Sequence, residues 1–350
     1  METARASGDA TGLIGIDWGT SSVRAFRMGR QAELLDQRHS KHGIMHLPQG
    51  GCPPGRMPRA TAFEQAFQEL CGDWIQESPG APVIASGMIG SAQGWRQAPY
   101  LRVPCDPKSL ARTLTTIDRG PGNTPIHVIG GLEQTTPRAN VMRGEETQVL
   151  GVLRRFAHTE RLPLGPLLIG LPGTHSKWVW VSEEGCITRF ETVMTGEVFG
   201  LLCRHSLLGQ TMTPREDATS HMGAFRQGLS TARDEGARLG VLSDIFTTRA
   251  MSLSGRLAPN EQADYLSGVL IGHEVVALVR QLKQDMQDMQ PPPVVLCGDS
   301  RLCERYRTAL IDQGVMPAAE FTDACAEGLW SIADQAALLA PSQVPPTASS

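Results

Sequence analysis

Leu13-Ile14-Gly15-Ile16-Asp17-Trp18-Gly19-Thr20-Ser21-Ser22-Val23-Arg24-Ala25-Phe26 is the stretch whose reading decides the fold. Leu13 to Ile16 is an apolar run suited to a buried strand. Asp17, Gly19 and the three hydroxyls of Thr20, Ser21 and Ser22 then make a tight polar turn. Val23, Ala25 and Phe26 alternate with polar neighbours as a returning strand. Such a turn suits a polyphosphate. Gly19 lets the backbone approach closely, the N–H groups and hydroxyls of Thr20 to Ser22 can donate to phosphate oxygens, and Asp17 can hold a magnesium ion, usually through water. A hairpin with a polar tip has the same pattern, so the reading needs support from elsewhere in the chain.

The turn resembles the first phosphate motif, Asp-x-Gly-Thr-Ser/Thr-x-x-Arg, of the superfamily containing sugar kinases, Hsp70 and actin. That resemblance implies an α/β chain of two ribonuclease-H-like (actin-like ATPase) domains with the active-site cleft, and ATP, between them. It makes Arg24, the arginine of the motif, a candidate substrate ligand. Three further pieces should follow in order: a linking helix, a second phosphate turn and a glycine turn for adenosine.

Composition agrees with two domains, since 350 residues of which 41% are hydrophobic can build two cores. A net charge of -4 gives no electrostatic reason to expect nucleic acid or a membrane surface as partner. Residues 1–12 lack the apolar run of a signal peptide, and no later segment is apolar and long enough to span a bilayer, so a cytoplasmic protein with disordered ends at 1–12 and 341–350 is expected. The eight cysteines are scattered without a Cys-x-x-Cys pair, which reads as reduced structural thiols rather than zinc or disulfides. His39, His42 and His46 lie beside a Gly/Pro-rich loop, not on a helix face, and are not read as a metal site.

After the opening hairpin, 32–39 supplies a third strand, 43–58 a long loop, and 61–75 a core-facing helix carrying Phe63, Ala66, Phe67, Leu70 and Trp74. Pro82 to Gly87 is an apolar strand running into the turn Met88-Ile89-Gly90-Ser91. Ligands collect at the carboxyl ends of strands in open α/β sheets, so Ser91 and Trp95, with Arg96 and Tyr100 nearby, are candidate contacts to a sugar acid, although these aromatic and arginine side chains could equally seal a domain edge. Another strand, Ile126 to Gly131, precedes Arg143-Gly144-Glu145-Glu146, where two carboxylates open a helix. Gly-Glu-Glu followed by Leu-Gly-Val is similar to the exopolyphosphatase branch of the superfamily, in which a glutamate at this place is the general base. Glu145 or Glu146 is therefore the candidate base, and Arg143 a candidate ligand for the substrate carboxylate or the transferring phosphoryl group.

Leu167 to Val181 repeats the opening architecture: apolar strand, turn, alternating strand. Gly173, Thr174, His175 and Ser176 form the expected second phosphate turn. It departs from the superfamily pattern, because Leu171-Pro172 stands where a carboxylate is usual, which leaves the metal to Asp17. Lys177 offers a point charge for the γ-phosphate, and in an extended strand it shares a side with His175. Further on, Thr195-Gly196-Glu197 opens a helix resembling a family element near the cleft. The run 214–248 is helical with Phe225, Leu229, Ala232, Leu239, Leu242 and Phe246 as core, and 263–289 is a longer helix in which His273 reads as a satisfied core histidine. The strand 293–297 breaks at Gly298 as the adenosine turn does, and the last helix, 322–339, is expected to pack on that second sheet. The domains are expected at 13–155, binding sugar acid and phosphate, and at 163–340, binding nucleotide.

Together, Asp-Trp-Gly-Thr-Ser, Gly-Met-Ile-Gly-Ser, Arg-Gly-Glu-Glu-Thr-Gln and Leu-Pro-Gly-Thr-His-Ser-Lys-Trp resemble the 2-dehydro-3-deoxygalactonokinase family, in register from about residue 13 to 339. The resemblance implies ATP and Mg2+ as cofactors, a small sugar acid as substrate, and phosphorylation of the 6-hydroxyl of 2-dehydro-3-deoxy-D-galactonate in galactonate breakdown. It leaves room for a homodimer, though no residue specifies an oligomeric state. The alternatives are a 2-keto-3-deoxygluconate-type kinase, which differs only in the C4 configuration of its substrate, an exopolyphosphatase-like hydrolase, and a nucleotide-switched binding module.

Overall fold

The structure, a computed structural model, describes residues 11–49, 57–159, 165–214, 220–233, 239–286 and 291–339. Most of both expected disordered ends, Cys52 and part of the 163–166 domain entry lie outside these residues. The chain divides into two compact units, one made of residues up to 164, 184–189 and 323 onward, the other of 165–183 and 190–322.

The first unit begins with β1 (Thr11–Trp18), β2 (Val23–Gly29) and β3 (Leu34–Ser40), followed by α1 (Arg59–Glu77) and β4 (Val83–Gly87). It continues through β5 (Tyr100–Arg102), α2 (Pro107–Arg112), β6 (Thr115–Ile117), β7 (Ile126–Val128), β8 (Gly131–Gln134), β9 (Asn140–Met142) and α3 (Glu145–Thr159). Its main sheet runs β3-β2-β1-β4-β7-β6, with β1 antiparallel to β2 and parallel to β4. Alternation along β1 sends Ile14, Ile16 and Trp18 to the face that α1 covers with Phe63, Phe67, Leu70 and Trp74.

The second unit holds β10 (Leu167–Leu171), β11 (Ser176–Val181), β12 (Ile187–Val193) from residue 190 on, α4 (Thr195–His205), α5 (Met222–Arg233), α6 (Val241–Leu253), α7 (Gln262–Met286), β13 (Val294–Cys297), α8 (Ser300–Asp312) and β14 (Ala319–Phe321). Its sheet runs β12-β11-β10-β13-β14, the same hairpin-then-crossover order as the first. This repeated order is the ribonuclease-H-like α/β fold expected from the two strand-turn-strand stretches. No described helix is long and apolar enough to cross a membrane.

Two expectations fail. Phe225, Leu229 and Ala232 are buried, but Leu239, Leu242 and Phe246 are 92%, 80% and 63% exposed. For Leu242 and Phe246 the reason is that α6 turns its polar side inward: Asp244 and Thr248 are buried, Asp244 bonds His273 at 2.8 Å, and the Thr247 hydroxyl bonds the Tyr265 hydroxyl, whereas Leu239 precedes the helix. The last helix, α9 (Cys325–Gln335), does not pack on the second sheet but belongs to the first unit, against α3 and β1. Small residues make that fit: a Cβ on Gly151 would sit 1.7 Å from the Ala324 carbonyl oxygen, and one on Gly328 1.8 Å from that of Thr147. Leu329 fills the space over Gly15. The expected 163–340 domain therefore gives up its last helix.

Candidate active site

In the first unit, antiparallel register sets Asp17 opposite Arg24. The guanidinium donates to Asp17 Oδ2 from Nη2 (2.6 Å) and Nε (3.2 Å), and from Nη1 to Asp323 Oδ2 (2.7 Å). Burial pushes the Asp17 carboxyl up despite Arg24, and the negative charges of Asp323 and Glu145 add to the rise. Arg24 is thus engaged by two carboxylates, which leaves its fork little reach toward a substrate.

The turn after Asp17 closes through Gly19 N–H to the Ser22 carbonyl (2.8 Å) and is braced by the next loop. Trp18 Nε1 donates to the His42 carbonyl, and the Ile44 and Met45 N–H groups donate to the Gly19 and Thr20 carbonyls. The loop comes this close only because residue 43 is glycine, where a Cβ would lie 2.3 Å from Ser21 C and Ser22 N. With its carbonyls so engaged, the turn leaves Thr20 and Ser21 exposed as donors.

At the end of β4, a Cβ on Gly87 would stand 3.3 Å from Asp17 Oδ1, and one on Gly144 would stand 3.2 Å from Gly87 Cα. This stacking brings the start of α3 to Asp17. The two glutamates there differ sharply. Glu145 is partly exposed, and its carboxylate accepts from Arg143 N–H (3.0 Å). Glu146 is fully buried, accepts from Gly144 N–H (2.7 Å), and is pushed up to about 8 by burial first and Glu145 second.

A carboxyl that titrates at about 8 when folded and in the ordinary range when unfolded keeps a proton that the unfolded chain releases. Its contribution to stability is complete in acid below the unfolded value and is lost as pH rises to about 8. Glu146→Gln, permanently neutral, should therefore gain on wild type by roughly 3 kcal/mol between pH 5 and pH 8. Denaturant unfolding of both proteins at the two pH values checks this, and a pH-independent difference would refute it.

Arg143 lies largely inside the unit. It donates to the Ala98 carbonyl (2.8 Å), stacks 4.2 Å over the Tyr100 ring, and keeps Nη1 enclosed against Gly90. Trp95 stacks on Phe63 (5.6 Å) with its edge to Trp18, and so contributes to the core under the turn. The Ser91 Oγ is buried. Arg143 and Trp95 thus hold the 88–100 loop in place more than they present themselves to a ligand.

In the second unit, Thr174 and His175 are exposed, and His175 pairs with Glu197 in the first turn of α4. Glu197 N–H donates to the Thr174 carbonyl (2.9 Å). His175 and Lys177 do not share a side: Lys177 is buried, and its ammonium donates to the His175 carbonyl (2.8 Å). β11 begins only at Ser176, so strand alternation does not extend to His175. A Cβ on Gly196 would sit 2.3 Å from the Gly173 carbonyl oxygen. Gly196→Ala should force α4 away from the turn and cost ~1–3 kcal/mol of stability in thermal denaturation. Gly298 N–H donates to the Phe321 carbonyl (2.9 Å), and Asp299 caps α8.

Among the described residues no group of three or more His, Cys, Asp or Glu could hold a metal alone. Magnesium asks for less, namely one or two carboxylates plus substrate phosphates. Asp17 fits that need, since the negative charges of Asp323 and Glu145 around it are ones a divalent cation would offset. Sequence reasoning missed Asp323 and Glu274. Asp323 was hidden in an expected helix. Glu274 had a visible signal, a carboxylate in the apolar row Leu266, Leu270, Leu278 at helical spacing.

The family model described as 2-keto-3-deoxy-galactonokinase matches residues 17–332. The chain is 34% identical to the 2-dehydro-3-deoxygalactonokinase of Escherichia coli (strain K12), over 86% of this chain and 90% of that one. It is 33% identical to the Rhizobium meliloti (strain 1021) protein described as "Probable 2-dehydro-3-deoxygalactonokinase DgoK1", over 90% and 94%. The crystal structure of a proposed 2-dehydro-3-deoxygalactonokinase from Sinorhizobium meliloti superposes with a TM-score of 0.75 at 32% identity, covering 92% of this chain and 98% of that one.

Proposed function

Because the chain belongs to the 2-keto-3-deoxy-galactonokinase family, we propose that it transfers the γ-phosphoryl group of ATP to the 6-hydroxyl of 2-dehydro-3-deoxy-D-galactonate. One observation carries this reading: the family match begins at the carboxylate of the first turn and runs on through the second turn and Gly298. The family match does not favour the exopolyphosphatase-like or the gluconate-type alternative.

Each residue then has a part. Asp17 holds magnesium, which when bound neutralises phosphate charge. Thr20, Ser21 and the backbone N–H groups of the first turn donate to phosphate oxygens. In the second unit Gly173, Thr174, His175 and Ser176 form the companion phosphate turn, and Gly298 makes room for the nucleoside. Glu145 takes the proton from the attacking hydroxyl, as a partly exposed carboxylate beside Asp17 can. Glu146, protonated and enclosed, shapes the helix start instead. Lys177 supports the turn through the His175 carbonyl, and Arg24 fixes the direction of the Asp17 carboxylate.

The test is coupled ADP release across a panel holding both C4 epimers of the 2-keto-3-deoxy acid, with phosphate release from polyphosphate as control. Turnover that requires the galactonate-derived acid supports the proposal. Acid-independent phosphate release would replace it with a hydrolase.

A further inference from the structure

Glu274 lies on α7, is 7% exposed, and has four donors on its two oxygens. Oε1 accepts from Ser176 Oγ (2.8 Å) and Trp178 Nε1 (2.8 Å), while Oε2 accepts from Tyr306 OH (2.8 Å) and Thr195 Oγ1. Those donors come from three elements. Ser176 and Trp178 start β11, Thr195 starts α4, and Tyr306 lies on α8. Ser176 directly follows the turn Gly173-Thr174-His175, and Thr195 directly precedes Gly196 and Glu197, which touch that turn through backbone contact and hydrogen bond.

A buried carboxylate is a poor source of net stability, because its desolvation offsets most of what its hydrogen bonds return. What four directed bonds do supply is a fixed geometry, with Ser176 Oγ lying closer to Glu274 (2.8 Å) than to its other acceptor, the Val193 carbonyl (3.3 Å). We propose that Glu274 is a positioning residue for the phosphates of the nucleotide: it ties the exit of the second phosphate turn, at Ser176, to the helix start that supports the turn, at Thr195. The proposal rests on the reading of Gly173 to Ser176 as a phosphate turn. Glu274 itself touches no phosphate and acts through the two hydroxyls.

Three variants test it. In Glu274→Gln the side-chain oxygen still accepts from Ser176 and Trp178. The amide donates toward Thr195 and Tyr306, whose hydroxyls can turn to accept, so nucleotide affinity should stay within about threefold of wild type. Thr195→Val keeps the shape but cuts the link to α4, and should raise KM for ATP and Kd for ADP by about tenfold. KM for the sugar acid and kcat at saturating ATP should each stay within about twofold, a split that general loss of stability does not produce. Glu274→Ala cuts both links and should lose about a hundredfold in nucleotide affinity. If its circular dichroism shows that it does not fold, Thr195→Val decides alone.

Wild-type ADP affinity in folded Thr195→Val, or equal losses for ATP and acid, would overturn the proposal. Calorimetric titration with ADP keeps the two readings apart. If the wild type binds ADP but no acid stimulates turnover, the functional reading fails while this proposal is still tested by the variants.

Discussion

Asp17→Asn should lower kcat by about 10³-fold, the scale of losing a metal-based charge stabilisation worth several kcal/mol, and leave the fold intact. The fold survives because two opposing changes meet. The Arg24 ion pair at 2.6 Å weakens, but Arg24 keeps Asp323 at 2.7 Å, and the carboxylate whose charge burial disfavours is gone. Asparagine keeps the shape that Gly87 stands against. The measurement is kcat at saturating ATP over a magnesium titration, together with thermal unfolding. A variant retaining even about a tenth of wild-type turnover would show that the metal is held elsewhere.

If Glu145 is the base, Glu145→Gln should lose about 10²–10⁴-fold in kcat with both KM values little changed. Glu146→Gln, in contrast, stays within a few-fold of wild type. The contrast follows from environment. Both carboxylates fold back on an N–H of the preceding turn, but Glu145 is partly exposed beside Asp17, whereas Glu146 is enclosed and already protonated near neutrality. A carboxyl in that state is mostly neutral at pH 7, and a neutral carboxyl is too weak a base to take a substrate proton. The reverse result, a dead Glu146→Gln and an active Glu145→Gln, would move the base one residue along α3.

How much of this was legible in the sequence depends on the range of the signal. The two strand-turn-strand stretches were readable because period-2 alternation and turn residues are local, and finding the pattern twice constrained the topology. Glu145 and Glu146 could be named as a pair but not separated, since only packing at Gly87 and Gly144 decides which of them is enclosed. Leu242 and Phe246 misled because amphipathic spacing reports that a helix has two faces. On α6 the polar face was the one drawn inward, by His273 and Tyr265 from a helix some twenty residues on. Lys177 was misjudged by one position in the strand boundary, which is where strand reading is weakest. Arg24, read as a substrate ligand, was already matched by Asp323, about three hundred positions away in the chain and beyond any local pattern.

The return of α9 to the first unit has a consequence for biogenesis. Residues 11–159 emerge from the ribosome first, yet their sheet lacks one of its covering helices until Cys325–Gln335 has been made. The later-made unit, largely continuous from 165 to 322, can mature while the earlier one waits with Gly15 and the α3 groove uncovered. Synthesis order and completion order are thus inverted, and a premature stop a few codons before α9 would cripple the half of the enzyme that was translated first.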